Sequence, residues 1–585
     1  MLVLAGMASI VGTIGVVAAF VLVKLIALVT NLVWYGTISG SLVSLAQAHR
    51  GPWMMIAPPM GGLIVGLMAR YGSEKIRGHG IPEAIETILI GQSRIAPRVA
   101  VLKPLSSAIA IGTGGPFGAE GPIIMTGGAL GSLFAQFFDL SSAERKVLLV
   151  SGAVAGMTAI FGTPIAACLL AIELLLFEWK PRSFIPAAVA ALVAIAWRPL
   201  VFGTAPLFPV AIVLPAQWWT IPLAGGFGVI VGFASIALTL ALYRVEDAFH
   251  RLPIHWTWWP SLGGLVVGLG GLVEPRALGV GYDVITSTLS GQLAIATLVS
   301  ILLVKSCIWL VALGSGTSGG VLAPLLIIGG ALGALIGLVL PGSPAIWALL
   351  GMAAMLGGAL RAPLTGAIFA VELTGDLHAL PLLLAATVCA FAVSVLLLPR
   401  SILTEKIARR GQHITQEYAI DRNQLTRVGE IMVRGVETLA AEMPLAEALA
   451  RTLSPDARHV AFPVIAKDGT LVGVLDRTQA LRSQQEIGGA EKLHDTLATR
   501  TTMPDVAHPE DVVARVVDLM IAGDQNLVPV TERATGKLVG IVTRKDLLVV
   551  QREAGALERE RARFFTRTLR RHAPASASNQ HPSAS

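Results

Sequence analysis

The stretch GTGGPFGAEGPIIMTGGALG, from Gly112 to Gly131, decides how the rest of this chain is interpreted. It places one carboxylate, Glu120, in a run of glycine, proline, small and apolar residues. An ionised side chain is costly in hydrocarbon unless it faces a partner or water, so an intramembrane glutamate is a candidate functional residue. The glycines allow unwound backbone, and Pro122 suits the first turn of a new helix. Because a helix N-terminus presents free N–H donors and roughly half a positive charge, the stretch predicts an anion site with Glu120 beside it.

The composition indicates a polytopic membrane protein. Of the 585 residues, 54% are hydrophobic and 14% are charged, and the mean hydropathy is +0.71. These values are too apolar for an ordinary soluble protein. Most of the charged residues lie after residue 400. We therefore expect a membrane domain over residues 1–410 and a soluble region after it.

The cysteines and the chain start carry little chemistry. Cys168, Cys307 and Cys389 lie in apolar segments without paired spacing, which argues against a disulfide framework and against a metal site. The apolar N-terminal stretch lacks a preceding basic region and is too long for a signal-peptide core, so we expect it to be a retained helix. Lys and Arg cluster around residues 75–103 and in the C-terminal part, which places both in the cytoplasm by the positive-inside rule.

The membrane part contains an internal duplication. Apolar runs separated by Gly/Pro-rich gaps predict about ten to fourteen membrane-embedded helices, several of them short or interrupted. Two passages recur in the same order at nearly the same separation: GGALG at Gly127–Gly131 and Gly329–Gly333, and Gly152–Leu174 with Gly351–Leu373. In such transporters the binding site lies near the midplane, where broken helices of the two halves meet. The sequence leaves open whether the repeats are parallel or inverted.

Two features of the repeats have structural explanations. Glu173 and Glu372 occupy matching places in the second pair of passages. Because both halves carry the carboxylate, hydrogen bonding to helix ends is favoured over transport. The GGALG segments are most simply close helix contacts through small residues.

Four Gly- or Pro-interrupted patches are candidates for the broken helices: GHGIPEA (Gly78–Ala84), GAEGP (Gly118–Pro122), GSGTSGGVLAP (Gly314–Pro324) and SILTEK (Ser401–Lys406). In this order they resemble the CLC family of chloride channels and chloride/proton exchangers. That family carries GSGIP, G(K/R)EGP and GxFxP motifs, then a tyrosine at the start of its last membrane helix. The resemblance implies an all-α membrane domain with inverted repeats, a homodimer with one pore per subunit, a multi-pass location in the cell membrane, and cytoplasmic termini.

The resemblance assigns Glu120 as the external gating glutamate, which occupies an anion site and leaves it when protonated. It implies anion-binding positions at His79, Gly80, Ile81, Gly118, Ala119, Gly121, Val321, Leu322 and Leu403. Three of these depart from the family pattern: His79 replaces a serine, Leu322 a phenylalanine and Leu403 the tyrosine. A histidine N–H or the backbone can still donate to chloride, although His79 also fits a partly exposed loop. We expect a weaker or less selective central site, with selectivity for chloride over nitrate or fluoride left open.

Proton coupling depends on a second glutamate. Exchangers of the family carry it directly after the glutamate that Glu173 matches, and this chain has Leu174 there. On a continuing helix Glu178 lies at i+4 from Leu174 and faces the same way, whereas Trp179 and Lys180 beside it indicate the membrane interface. Glu178 and Glu173 are the candidate proton relays. The balance favours a channel over an exchanger.

The soluble region resembles a tandem of CBS domains. HVAFPVIAKDGTLVGVLDRTQAL (His459–Leu481) parallels NLVPVTERATGKLVGIVTRKDLL (Asn526–Leu548). We assign a linker to 411–427, the first domain to 428–485, the second to 486–555, and a charged helix with a disordered tail to 556–585. Thr543 and Asp546 match positions that contact phosphate and ribose in nucleotide-binding members, where the first unit has Asp476 and Gln479. The resemblance implies one adenine-nucleotide site or a purely structural pair.

The combined interpretation is gated chloride transport regulated by a cytoplasmic CBS pair, channel-like or proton-coupled. The expected partners are chloride or other small anions, protons if coupled, membrane lipid and a second copy of the chain. Nucleic acid and a required cofactor are not expected, and no enzyme signature is visible. Two other classes of protein fit less well. A CBS-bearing divalent-cation transporter needs clustered intramembrane carboxylates. A sensor that merely resides in the membrane would give Glu120 no function.

Overall fold

The computed structural model describes residues 1–48, 51–89, 91–210, 218–409, 426–454, 459, 461–486, 493 and 505–549. The predicted charged helix and tail at 556–585, and most of the predicted linker, lie outside these residues. The chain divides into two compact units, Met1–Tyr418 and Ala419–Ser585.

The membrane unit is helical, and its helices begin and end as follows: α1 Leu2–Tyr35, α2 Trp53–Tyr71, α3 Ile81–Leu89, α4 Pro97–Gly112, α5 Glu120–Gln136, α6 Ser142–Phe161, α7 Pro164–Leu170, α8 Pro181–Val201, α9 Thr220–His250, α10 Trp259–Val273, α11 Tyr282–Leu289, α12 Ile295–Gly314, α13 Leu322–Ile336, α14 Pro344–Leu360, α15 Pro363–Thr374, α16 Leu380–Leu397 and α17 Thr404–Arg409. Six helices in the described part of the chain are long and apolar enough to cross a membrane, and α13, α14 and α15 are shorter apolar helices. This confirms the prediction of a polytopic protein with several short helices.

The second half of the membrane unit repeats the packing of the first. Helix α1 packs against α4, α6 and α8, and α9 packs against the corresponding α12, α14 and α16. The halves also share their tightest contacts, α5 with α6 and α13 with α14. A Cβ on Gly127 would collide with the carbonyl oxygen of Gly152, and one on Gly329 with that of Gly351. The GGALG segments are therefore close helix contacts through small residues, as predicted.

Glu173 and Glu372 join the two halves reciprocally. The carboxylate of Glu173 accepts hydrogen bonds from the amides of Leu364 (3.2 Å) and Thr365 (2.8 Å), at the start of α15. The carboxylate of Glu372 accepts from the amides of Ile165 (3.0 Å) and Ala166, at the start of α7. Such reciprocity is what a two-fold relation between the halves requires. Each glutamate thus satisfies the free N–H groups of the other half's helix.

The soluble unit contains two similar hairpins within these elements: α18 Val428–Ile431, β1 Leu439–Ala440, α19 Leu445–Leu453, β2 Ala461–Ile465, β3 Leu471–Asp476, α20 Arg477–Glu486, α21 Val513–Ala522, β4 Leu527–Thr531 and β5 Leu538–Thr543. Strand β1 is parallel to β2, β2 is antiparallel to β3, and β4 is antiparallel to β5. The two turns contain Gly469 (φ 86°) and Gly536 (φ 67°), the glycines that the repeat comparison identified. The amide of Leu471 donates to Gly536 and that of Leu538 to Gly469, so the hairpins pair through their turns.

One element of the soluble unit crosses between the two sequence repeats. Val428, in α18, lies in a core cluster with Val516, Val528 and Val542 of the second repeat. Val433 pairs with Ile541 of β5 through backbone hydrogen bonds of 2.9 and 3.1 Å. The start of the first sequence unit therefore packs on the second hairpin.

Candidate functional site

Three glycine loops converge in the membrane unit and are tied together by backbone hydrogen bonds. The amide of Gly78 donates to the carbonyl of Gly316 (3.1 Å), and that of Gly319 to Gly78 (3.4 Å). The amide of Gly320 donates to Gly118 (3.0 Å). These loops come from three of the patches that the sequence singled out, so the structure brings them into one place.

A helix begins directly after each loop: α3 at Ile81, α5 at Glu120 and α13 at Leu322. The starts lie side by side, because a Cβ on Gly121 would collide with the carbonyl of His79 and lie 3.1 Å from the Cα of Gly320. The first N–H groups of each helix have no partner within the helix. Converging helix starts of this kind favour a small anion.

Glu120 lies at this convergence and is fully buried, with 0% of its surface exposed. The backbone amides of Glu120 and Ala323 lie near the carboxylate without completing a hydrogen bond to it. Neither carboxylate oxygen has a hydrogen-bond partner among the described residues. A Cβ on Gly118 would collide with the carboxylate, so the absence of a side chain at Gly118 leaves room for Glu120.

Two buried lysines support the loops, one in each half. Lys103 Nζ donates to the carbonyls of Ile76 (2.8 Å) and Gly78 (2.7 Å). Lys305 Nζ donates to the carbonyls of Ala277 and Gly279, both at 2.9 Å. Both lysines are 0% exposed. Each places a positive charge beneath the loop that precedes a broken helix of its own half.

Sequence reasoning missed these lysines although a signal for them exists. Lys305 is the one charged residue of α12, and Lys103 lies in the middle of α4, whose other charge, Arg98, is at the helix start. A charge inside an apolar helix is the criterion that selected Glu120. Their matching places in the two repeats would have supported the choice.

His79 lines a cavity of about 720 Å³ together with Gly78, Glu83 and Lys406. Its side chain is only 4% exposed, which excludes the alternative of a partly exposed loop histidine. Nδ1 has no hydrogen-bond partner within the described ranges. The histidine therefore offers a ring nitrogen where the cavity meets the convergence.

The other predicted anion-binding positions have no polar side chain, so only their backbone could donate to an anion. Val321 and Leu322 are fully buried, at the start of α13, and Gly80, with φ 86°, leads into α3. Leu403 is also fully buried, and its amide donates to the hydroxyl of Ser401 (3.3 Å). Leu403 therefore has no donor to offer an anion.

The candidate relay Glu178 does not continue the helix that carries Leu174. Helix α7 continues as a π-helical turn over Ala171–Leu176, and Phe177 ends it in the left-handed conformation (φ 51°). The prediction that Glu178 lies one helical turn beyond Leu174 is therefore wrong. Glu178 instead forms ion pairs with Lys180 (3.0 Å) and Lys146 (3.4 Å).

In the soluble unit the candidate nucleotide residues form a helix start. The carboxylate of Asp546 accepts hydrogen bonds from the amide (2.8 Å) and hydroxyl (2.6 Å) of Thr543. In the first hairpin the polarity is reversed, because Asp476 accepts from the amide of Gln479 (2.7 Å). The two units therefore present a hydroxyl and a carboxylate, respectively, at equivalent places.

Comparison with known families identifies both units. The family model described as voltage gated chloride channel matches residues 61–395. The CBS domain model matches residues 428–486 and 501–553. Among curated relatives, the voltage-gated ClC-type chloride channel ClcB of Escherichia coli O81 (strain ED1a) is 32% identical over 413 residues, covering 68% of this chain and 98% of the relative. ClcB of Escherichia coli strain K12 / DH10B shows the same identity and coverage.

Solved structures share the fold at lower identity. A slow cyanobacterial Cl−/H+ antiporter superposes with a TM-score of 0.61 at 21% identity, over 70% of this chain and 97% of that protein. A eukaryotic CLC transporter gives 0.58 at 20% identity over 93% and 97%. A CLC-type fluoride/proton antiporter gives 0.61 at 19% identity over 68% and 96%.

Proposed function

We propose that this chain, which belongs to the voltage-gated chloride channel family, moves chloride passively along a path that the Glu120 carboxylate closes. The observation that carries the proposal is the place of Glu120 at the start of α5, buried and with both oxygens unpartnered among the described residues. A carboxylate at a helix N-terminus occupies the position that an anion would take. Protonation removes the competing charge, so we expect flux to rise as the pH falls.

Passive rather than proton-coupled transport is supported by the surroundings of the carboxylates. Leu174 is fully buried where exchangers carry a glutamate. Glu178 is held by two lysines, and Glu173 caps α15 through its hydrogen bonds to Leu364 and Thr365. A proton needs a titratable relay or ordered water to cross apolar protein, and these two carboxylates are committed to other partners.

Flux measurements on the purified protein in liposomes test the proposal. We expect an imposed chloride gradient to drive chloride efflux without uphill proton movement. Glu178→Gln should leave both chloride efflux and proton movement unchanged, since Glu178 lies beyond the end of the helix that carries Leu174. An absence of chloride flux at every pH would overturn the transport proposal itself.

Proton-coupled exchange is the second candidate, favoured by fold neighbours described as Cl−/H+ and fluoride/proton antiporters. Stable uphill proton movement under a chloride gradient would establish it. If Glu178→Gln or Glu173→Gln then abolished that movement, the affected residue would be the relay. The family match disfavours the divalent-cation transporter and the membrane-resident sensor.

We further propose a homodimer in the cell membrane with cytoplasmic termini, and regulation of transport by the CBS pair. Positive charges around residues 75–103 support the orientation. Adenine nucleotides are the proposed ligands of the CBS pair, through Thr543 and Asp546. Light scattering of the detergent-solubilised protein and protease accessibility in sealed vesicles test the assembly and the orientation.

A further inference from the structure

We propose that Lys406 binds the transported anion at the inner end of the path, next to His79, and that Glu83 weakens this binding through an ion pair. The proposal rests on the proposed anion transport and makes Lys406 the residue that determines anion affinity and selectivity there. It concerns residues that the motif comparison did not assign.

The position of the ammonium group carries the proposal. Helix α17 begins at Thr404, one residue after Leu403, which offers no donor. Three residues after Leu403, Lys406 reaches back to the loop before α3, because a Cβ on Gly78 would lie 2.6 Å from Lys406 Nζ. The charge therefore lies directly beside the backbone that leads into His79.

Lys406 is also held by a carboxylate. Its Nζ lies 2.8 Å from an oxygen of Glu83, whose side chain is only 5% exposed, while that of Lys406 is 21% exposed. An ammonium group has three N–H donors, so one bond to Glu83 leaves donors for an anion. Both residues line the cavity of about 720 Å³ that also reaches His79, which gives an anion a way to the ammonium.

Neighbouring donors favour an anion at the same place. Lys103, fully buried under the same loop, donates hydrogen bonds to the carbonyl oxygens of Ile76 and Gly78, so these oxygens do not face an anion unpaired. His79 has an unpartnered Nδ1 among the described atoms. An anion at His79 thus meets an imidazole ring, the start of α3 and the Lys406 ammonium. Glu83 opposes them as the carboxylate paired with Lys406, and Glu74, Glu86, Glu246 and Asp247 are further carboxylates lining the cavity.

The chemistry of lysine predicts a selectivity. An ammonium group is a compact point charge, and its attraction for an anion grows as the anion becomes smaller. We therefore expect Lys406 to favour chloride over nitrate, which spreads its single charge over three oxygens. A tyrosine hydroxyl at the position of Leu403 would supply a neutral donor instead.

Variants of the full-length protein in liposomes test this role. We expect Lys406→Gln to weaken the apparent chloride affinity about tenfold and to reduce the preference for chloride over nitrate. Glu83→Gln, which frees the ammonium, should strengthen chloride affinity about threefold to tenfold. Lys406→Arg should retain most of the wild-type affinity. In the double variant Glu83→Gln/Lys406→Gln the gain should disappear, because it acts through Lys406.

Lys75→Gln is the matched control, since Lys75 lines the same cavity but is exposed. It should change chloride affinity less than twofold because exposed charges are screened. A purely structural ion pair would lower the amount of folded protein without changing affinity or selectivity, and that result would overturn the proposal. So would an unchanged chloride affinity in Glu83→Gln, which keeps the shape of the side chain.

Calorimetry with chloride on the detergent-solubilised variants separates this proposal from the proposed function. Failure of the wild type to move chloride in liposomes would overturn the transport proposal. Wild-type transport together with unchanged chloride binding in Lys406→Gln would overturn the role of Lys406 alone.

Discussion

The two halves of the membrane unit share a scaffold and differ at the residues that begin their broken helices. Lys103 and Lys305 make equivalent hydrogen bonds to the loops of their own halves. Glu173 and Glu372 cap each other's helices. Residues present in both halves therefore hold the backbone in place.

The differences are confined to a few positions. The loop Gly78–His79–Gly80 corresponds to Gly279–Val280–Gly281, and all four glycines have positive φ angles. Helix α5 begins with Glu120, where α13 begins with Leu322. The first half thus carries His79 and Glu120 where the second half has Val280 and Leu322. The second half in turn carries Tyr282 and Asp283 after its loop, where the first half has Ile81 and Pro82. We infer that duplication supplied the frame and that divergence supplied the chemistry.

The largest expected effect comes from replacing Glu120, whose counterpart in the second half is Leu322. In Glu120→Gln, anion flux should persist but lose its pH dependence, since no carboxylate remains to titrate. For one titrating group, wild-type flux should change by up to about tenfold per pH unit. Chloride efflux from liposomes at several pH values measures it. Glu144→Gln, the same substitution in the first turn of α6 and outside the convergence, is the control and should retain the wild-type pH response. A pH response that survives in Glu120→Gln would exclude the gating role.

The second-largest effect concerns the two glutamates that cap helices of the opposite half. Glu173→Ala and Glu372→Ala should each destabilise the protein by about 2 kcal/mol, because each leaves buried helix N–H groups unpaired. Similar losses are expected from both variants, since the contacts are reciprocal. Thermal unfolding in detergent, followed by tryptophan fluorescence, measures them. If Glu173→Ala left stability intact but altered proton movement, the residue would belong to the transport path and the equivalence of the two positions would be broken.

The smallest effect lies in the soluble unit, whose hairpins form a second duplicated pair. Asp546→Ala should weaken ATP, ADP or AMP binding about tenfold, by removing the carboxylate that orients Thr543. Asp476→Ala, at the start of the corresponding helix, should leave binding unchanged. Calorimetry on the full-length protein in detergent compares the two variants. Equal losses in both would mean that the units share the nucleotide.

The motif residues were predictable because each motif combines glycine with a local helix start. Glu120 was identified as a lone charge among apolar residues, and the structure places it at the start of α5. Glu178 was misplaced because the sequence gives no sign that Phe177 adopts a left-handed conformation and ends the helix. Lys406 was overlooked because its partner, Glu83, is distant in the sequence and the two meet only in the folded chain.

The sequence alone determined the membrane class, the internal duplication, the broken helices and the CBS pair. The first three follow from local properties: hydropathy, glycine and proline placement, and the recurrence of short segments. The CBS pair follows from the resemblance of its two repeated units to that family. Only the tertiary structure decided which groups meet. It paired Glu173 with α15 and Glu372 with α7, and it packed α18 onto the second hairpin. Such contacts join residues far apart in the chain, and their partners are selected by the packing of whole helices and strands rather than by the residues that flank them.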